Sequence, residues 1–124
     1  MNVVLWVVAG VLAAAFLASG LMKITRSKKQ LADSGMGWTE NFSDSALKGI
    51  GALEVLGALG LILPGALGVA PVLVPVAATG LALVMIGAIV VHARRKESQL
   101  IIVNVVLLAL AAFVAWGRFG PYAF

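Results

Sequence analysis

The sequence contains no cysteine and only one histidine, His92, among its 124 residues. Without cysteine there are no disulfides, no thiolate metal sites and no cysteine-based redox chemistry. One histidine cannot form a bis-histidine haem site within a single chain. Zinc-ligand spacings, nucleotide-binding glycine patterns and nucleophile elbows are also missing. We therefore predict no metal site and no covalently bound cofactor, and the sequence leaves open whether the chain is an enzyme.

Charge is scarce as well. Only 11% of the residues are charged and 62% are hydrophobic, against roughly 25% charged in soluble domains. A chain of this length cannot bury so much apolar surface, so the surplus must face lipid. The net charge of +4 lacks the aromatic-and-basic pattern of nucleic-acid-binding proteins, which excludes that class of partner. We predict one transmembrane domain over residues 1–124, with the lipid bilayer as its surroundings.

Four apolar segments are long enough to cross a bilayer, which takes about 20 residues of helix. They cover about 2–22, 45–63, 70–92 and 98–117. None alternates with a period of two, so the predicted fold is all-α, an integral membrane four-helix bundle. The first segment lacks a basic start and is too long for the core of a signal peptide, so we interpret it as a retained helix.

The connections differ in composition. Residues 23–44 are polar, and their Trp38 region is expected at the headgroup level. Residues 64–69 begin with Pro64-Gly65 and predict a break, and Pro75 should bend or tighten the start of the next helix. The first and third connections and Lys48 hold eight of the nine basic residues. The positive-inside rule then places these connections in the cytoplasm and both termini outside a cell membrane crossed several times.

Small residues predict which helix faces pack together, because membrane helices associate through close contacts. In the first helix, Gly10, Ala14 and Ala18 form a candidate stripe. In the second, Gly51, Gly57 and Ala58 share a face with Glu54, which should point that carboxyl into the bundle.

One polar residue from each predicted helix or its end converges on the cytoplasmic half of the bundle, and these are Lys23, Glu54, His92 and Asn104. A carboxyl group in the membrane is costly and often marks a function or a partner. The four residues are our candidate binding cluster, with no catalytic residue assigned. Structural alternatives remain: a Lys23–Glu54 pair that fixes helix register, interfacial anchoring by Lys23 and His92, and interhelical hydrogen bonding by Asn104. Arg118, with Trp116 and Tyr122, is interpreted as an anchor at the outer interface.

Several segments resemble the DoxX-like family of small four-helix membrane proteins. They are Ser19-Gly20-Leu21-Met22-Lys23-Ile24, the Trp38 stretch, residues 50–58 with 61–64, and Met85-Ile86-Gly87-Ala88 leading to His92-Ala93-Arg94-Arg95. The resemblance implies that Lys23, Glu54 and His92 are the family's polar positions, and it implies an association with quinone-linked thiosulfate oxidation. Lacking cysteine, this chain shows no means of handling the sulfur itself.

The functional expectation combines the cluster with the resemblance. We expect a small membrane subunit or accessory protein of a quinone-linked oxidoreductase system, with quinone as its one candidate cofactor. Other membrane protein subunits or further copies of the chain are the expected partners. The alternative is a small-solute carrier, a membrane chaperone or a structural subunit of a larger complex.

Overall fold

The computed structural model describes residues 1–33, 37, 39 and 42–124, so the predicted position of Trp38 lies outside the described residues. The helices are α1 (Asn2–Thr25), α2 (Lys28–Asp33), α3 (Asp44–Leu67), α4 (Leu73–Arg94) and α5 (Ser98–Phe119). All but α2 are long and apolar enough to cross a membrane. No strand occurs in this part of the chain. The predicted all-α membrane bundle of four long helices is confirmed.

The expected break at Pro64 is wrong, because α3 continues through Pro64 to Leu67. Proline removes one backbone N–H, but every other backbone group in an apolar segment is best satisfied by helix. The helix ends at Gly68, which has φ +68° and ψ 21°, in the left-handed conformation that glycine adopts without strain. The N–H groups of Gly68 and Val69 both donate to the Pro64 carbonyl.

The start of α4 lies three residues later than predicted, at Leu73 instead of Ala70. The N–H groups of Leu73 and Val74 donate to carbonyls three residues back, which makes a tight entry turn. Pro75 falls in the first turn of α4, where its missing N–H has little cost.

The four long helices contact one another in a ring, in which α1 and α4 both touch α3 and α5. The main core between them is made of leucine, alanine, valine, methionine and Phe16. It includes the following buried residues: Leu12, Phe16, Ala58, Leu61, Val74, Ala78, Leu81, Met85, Ala111 and Val114. Large hydrophobic side chains also cover the outer faces of all four helices, as expected of a bundle in lipid.

The backbones of α1 and α3 approach each other closely at Gly20 and Gly51. A Cβ atom built on Gly20 would lie 2.6 Å from the Gly51 carbonyl oxygen, and one on Gly51 would lie 2.7 Å from the Gly20 oxygen. Backbones can approach this closely only where side chains are absent. The predicted stripe is wrong: Gly10, Ala14 and Ala18 are exposed. The buried face of α1 is a different one, and it carries Leu5, Ala9, Leu12, Phe16, Gly20 and Lys23.

A candidate binding site between the four helices

The Gly20–Gly51 contact brings the end of α1 against α3 and places Lys23 beside Glu54. Lys23 Nζ lies 2.5 Å from Glu54 Oε1, and the two side chains are 7% and 2% exposed. Lys23 Nζ also donates to Ser19 Oγ, one turn back on α1, at 2.7 Å. Burial disfavours isolated charges, so each member of this pair depends on the other. The carboxyl group of Glu54 is directed into the bundle.

His92 is buried at the end of α4, and its side chain contacts the connection that follows that helix. Its Nδ1 lies 3.1 Å from Oε1 of Glu97, the residue that precedes α5. Arg95 Nε donates to the same oxygen at 3.0 Å. The hydrogen bond with His92, helped by Arg95 and opposed by partial burial, lowers the pKa of Glu97 below its ordinary value. Glu97 therefore links the buried imidazole to the surface of the bundle.

Asn104 is a polar residue on the inner face of α5, and it is 8% exposed. Its amide nitrogen, Nδ2, is buried and has no hydrogen-bond partner among the described residues. A buried amide N–H without an acceptor costs about 1–3 kcal/mol, and native structures contain few of them. Such a donor is expected where a ligand or water supplies the acceptor.

A cavity of about 610 Å³ joins these groups. All four candidate residues, Lys23, Glu54, His92 and Asn104, contribute to its walls. The other walls are almost entirely apolar and come from every long helix and from Phe42; they are Ala15, Phe16, Ile50, Val84, Met85, Gly87, Ala88, Val91, Leu100, Val103 and Leu107, with Ser19 as a further polar member. The volume is in the range of small-molecule sites, roughly 300–1,000 Å³.

The cavity also reaches the outer surface of the bundle. Ala15 on α1 and Val103 on α5 belong to its walls, yet both are exposed. These two helices adjoin in the ring, and an outward-facing apolar surface of such a bundle lies in the hydrocarbon region. A ligand at the polar end could therefore extend an apolar part into lipid between α1 and α5.

The structure thus brings the four sequence-predicted residues around one space, while their part in binding stays a prediction. Sequence reasoning missed Ser19 and Glu97, which hold Lys23 and His92. Ser19 lies four residues before Lys23, a helical spacing that could have indicated the contact. Glu97 follows a run of basic residues and gave no comparable signal.

These features define a class: a multi-pass membrane bundle of four long helices with a buried Lys–Glu pair at the wall of an apolar cavity. The profile of the DoxX-like family matches residues 7–114. The chain belongs to the DoxX-like family. Searches of curated proteins and of solved structures found no match.

Proposed function

We propose that this protein binds a quinone in the cavity as a small membrane subunit or accessory protein of a quinone-linked oxidoreductase system. One observation carries the proposal: Asn104, whose amide donor is unpartnered among the described residues, lines an apolar cavity that reaches the outer surface of the bundle. A quinone headgroup offers carbonyl oxygens, which accept hydrogen bonds, on an apolar ring with an apolar tail. A small polar solute could accept a hydrogen bond from Asn104 but would leave the apolar walls without an apolar partner, so the cavity favours a quinone over the carrier alternative.

The geometry refines the roles of the polar residues. Asn104 Nδ2 would donate to a quinone carbonyl oxygen. Lys23 already binds Glu54 and Ser19, so we assign it to holding the Glu54 carboxylate and not primarily to the ligand. His92, through its contact with Glu97, is the group best connected to the surface, and we assign it to proton exchange with the aqueous side. A bound quinone would supply the redox chemistry, and a partner oxidoreductase would supply or remove its electrons.

The direct test is quinone binding by the purified full chain in a mild detergent. Quinone that co-purifies is extracted and quantified by absorbance after chromatography, and a benzoquinone with a ten-carbon tail is titrated into protein stripped of lipid. Asn104→Leu removes the donor and keeps a similar volume. The matched control, Val105→Leu, changes an exposed neighbour on α5 that is not part of the cavity wall.

We expect the wild-type protein and the Val105→Leu variant to bind the analogue alike. Asn104→Leu should weaken binding about fivefold to tenfold, the equivalent of one hydrogen bond of roughly 1 kcal/mol. Absence of both co-purified quinone and analogue binding in the wild type would reject the proposal. Mass spectrometry of proteins that co-purify tests the accessory role separately. If the chain binds quinone but no oxidoreductase co-purifies, quinone binding is supported and the accessory role is rejected.

A further inference from the structure

A second polar feature lies at the opposite end of the bundle, where α5 ends near the start of α1. Arg118 is only 5% exposed, so most of its side chain is packed against protein, and its role as an anchor at the outer interface stays a prediction. Its Nη1 donates to Asn2 Oδ1 at 2.7 Å and to the Tyr122 carbonyl oxygen at 2.9 Å. The guanidinium carbon lies 4.0 Å from the ring centroid of Phe124 and 5.7 Å from that of Trp6. The guanidinium group is therefore held in one orientation by two hydrogen bonds and two aromatic rings.

The charge of Arg118 has no acidic partner in the described part of the chain. In the described part of the chain, three acidic residues lie at the other end, in the connections or at the start of α3: Asp33, Asp44 and Glu97. A further one, Glu54, is paired with Lys23 and is separated from the near end of α3 by about 20 Å of helix at 1.5 Å per residue. A buried cation normally requires a counter-charge, and no Asp or Glu side chain in the described residues supplies one here.

The guanidinium group also has unused donors. Both N–H bonds of Nη1 are occupied, whereas Nε and Nη2 make no hydrogen bond with any described residue. Arg118 lines a second cavity, of about 230 Å³. Its remaining walls come from the α3–α4 connection and the segment after α5, and they are Pro71, Val72, Phe119, Ala123 and Phe124. None of these side chains can accept a hydrogen bond, so the cavity offers a cation without a side-chain acceptor among its lining residues.

We propose that this cavity binds the phosphate group of an anionic ligand through Arg118. The fixed, planar fork of arginine suits phosphate oxygens, and two parallel N–H groups can bind two of them. The site lies at the end of α5 beside Trp116 and Tyr122, whose rings are 6.1 Å apart, and such aromatic residues favour the headgroup level of a membrane. A phospholipid headgroup and free phosphate share this chemistry. The site is independent of the quinone cavity.

The experiment follows thermal unfolding of the delipidated full chain in a neutral maltoside detergent. Three additives are titrated: dihexanoyl phosphatidylglycerol, inorganic phosphate, and dihexanoylglycerol, which has the acyl chains without phosphate. Arg118→Gln removes the charge and the fork. Arg94→Gln is the matched control, because Arg94 is exposed at the end of α4 on the opposite side of the bundle and reports non-specific attraction of anions.

The wild type and Arg94→Gln should show a saturable rise of the unfolding temperature with the phosphate-bearing additive and none with dihexanoylglycerol. Arg118→Gln should weaken the apparent affinity about tenfold or more, as expected for a charged hydrogen bond. A response to phosphatidylglycerol alone identifies a lipid, and an equal response to inorganic phosphate identifies a free anion. No response in the wild type, or an unchanged response in Arg118→Gln, would overturn the proposal. If that variant does not fold, Arg118→Lys replaces it, and an affinity equal to that of the wild type would then contradict the role of the fork.

Discussion

The buried pair of Lys23 and Glu54 should show a large coupling energy in a double-mutant cycle. The two charged atoms are 2.5 Å apart and the side chains are nearly inaccessible. Removing one member of such a pair costs about 3–5 kcal/mol in soluble proteins, because it leaves an uncompensated buried charge. Lys23→Met and Glu54→Gln keep the approximate size of each side chain. We expect each to destabilise the bundle by about 2–4 kcal/mol, with Glu54→Gln at the lower end because its amide oxygen still accepts a hydrogen bond from Lys23.

The double variant Lys23→Met/Glu54→Gln should be much more stable than the sum of the single variants predicts. The coupling energy is the difference between the sum of the two single destabilisations and that of the double variant, and we expect about 2 kcal/mol or more, within the usual range for residues in contact. The measurement is unfolding by sodium dodecyl sulfate in mixed micelles, followed by far-ultraviolet circular dichroism. If a single variant does not fold at all while the double variant does, the same conclusion follows.

A second cycle provides the control. Lys48 and Asp44, which are four residues apart on α3, also form an ion pair, at 3.6 Å, but their side chains are 47% and 60% exposed. Their coupling should be about 0.5 kcal/mol or less. Equal couplings in the two cycles would refute the argument that burial makes the Lys23–Glu54 pair energetically important.

Three further outcomes are expected. Gly51→Ala should destabilise the bundle, since its Cβ would lie 2.7 Å from the Gly20 carbonyl oxygen, whereas Gly80→Ala, with nothing within 4 Å, should be neutral or slightly stabilising in the same assay. Glu97→Gln should lower the melting temperature at pH 7. Because the pKa of Glu97 in the folded state is lowered from its ordinary value of 4.5, the ionised carboxylate stabilises the fold fully above pH 4.5. The difference in melting temperature between the variant and the wild type should therefore shrink as the pH falls below 4.5. An unchanged difference at pH 3.5 would contradict that assignment. For topology, single cysteines at positions 2 and 122 should react with an impermeant reagent on intact cells and those at positions 30 and 96 should not; the reverse pattern would invert the predicted orientation.

The number of long helices and the position of Glu54 could be predicted because both depend on local properties. Long apolar segments must be helical in lipid. Glu54 shares a face with Gly51 and Ala58, and that face is buried as expected. A polar residue in an apolar segment has one favourable direction, toward the protein, so its position also orients the helix.

Packing faces without a polar residue could not be predicted in the same way. In α1 the lipid-facing side and the core side are both apolar, so Gly10 and Leu12 give no contrast in polarity. Small residues permit close contact but do not require it: Gly10 has nothing within 4 Å of a built Cβ, whereas Gly20 contacts Gly51. The burial of Arg118 depends on Asn2, which is distant in the sequence, and no local pattern indicates that contact.

The same packing explains why the cavity proposed for the quinone lies in one half of the bundle. Toward the end that carries Arg118, Gly117 meets Leu5 and thereby joins α5 to α1, and Gly57 meets Leu81 and joins α3 to α4. In the other half, the glycine contact at Gly20 and Gly51 joins only α1 to α3. Lys23, Glu54, His92 and Asn104, which all fall within the matched residues 7–114, are therefore positioned in the half of the bundle that side chains fill less completely. A substitution that tightened this half would be expected to raise stability and to lower ligand binding together, because the space that a ligand needs is the space that the core does not fill.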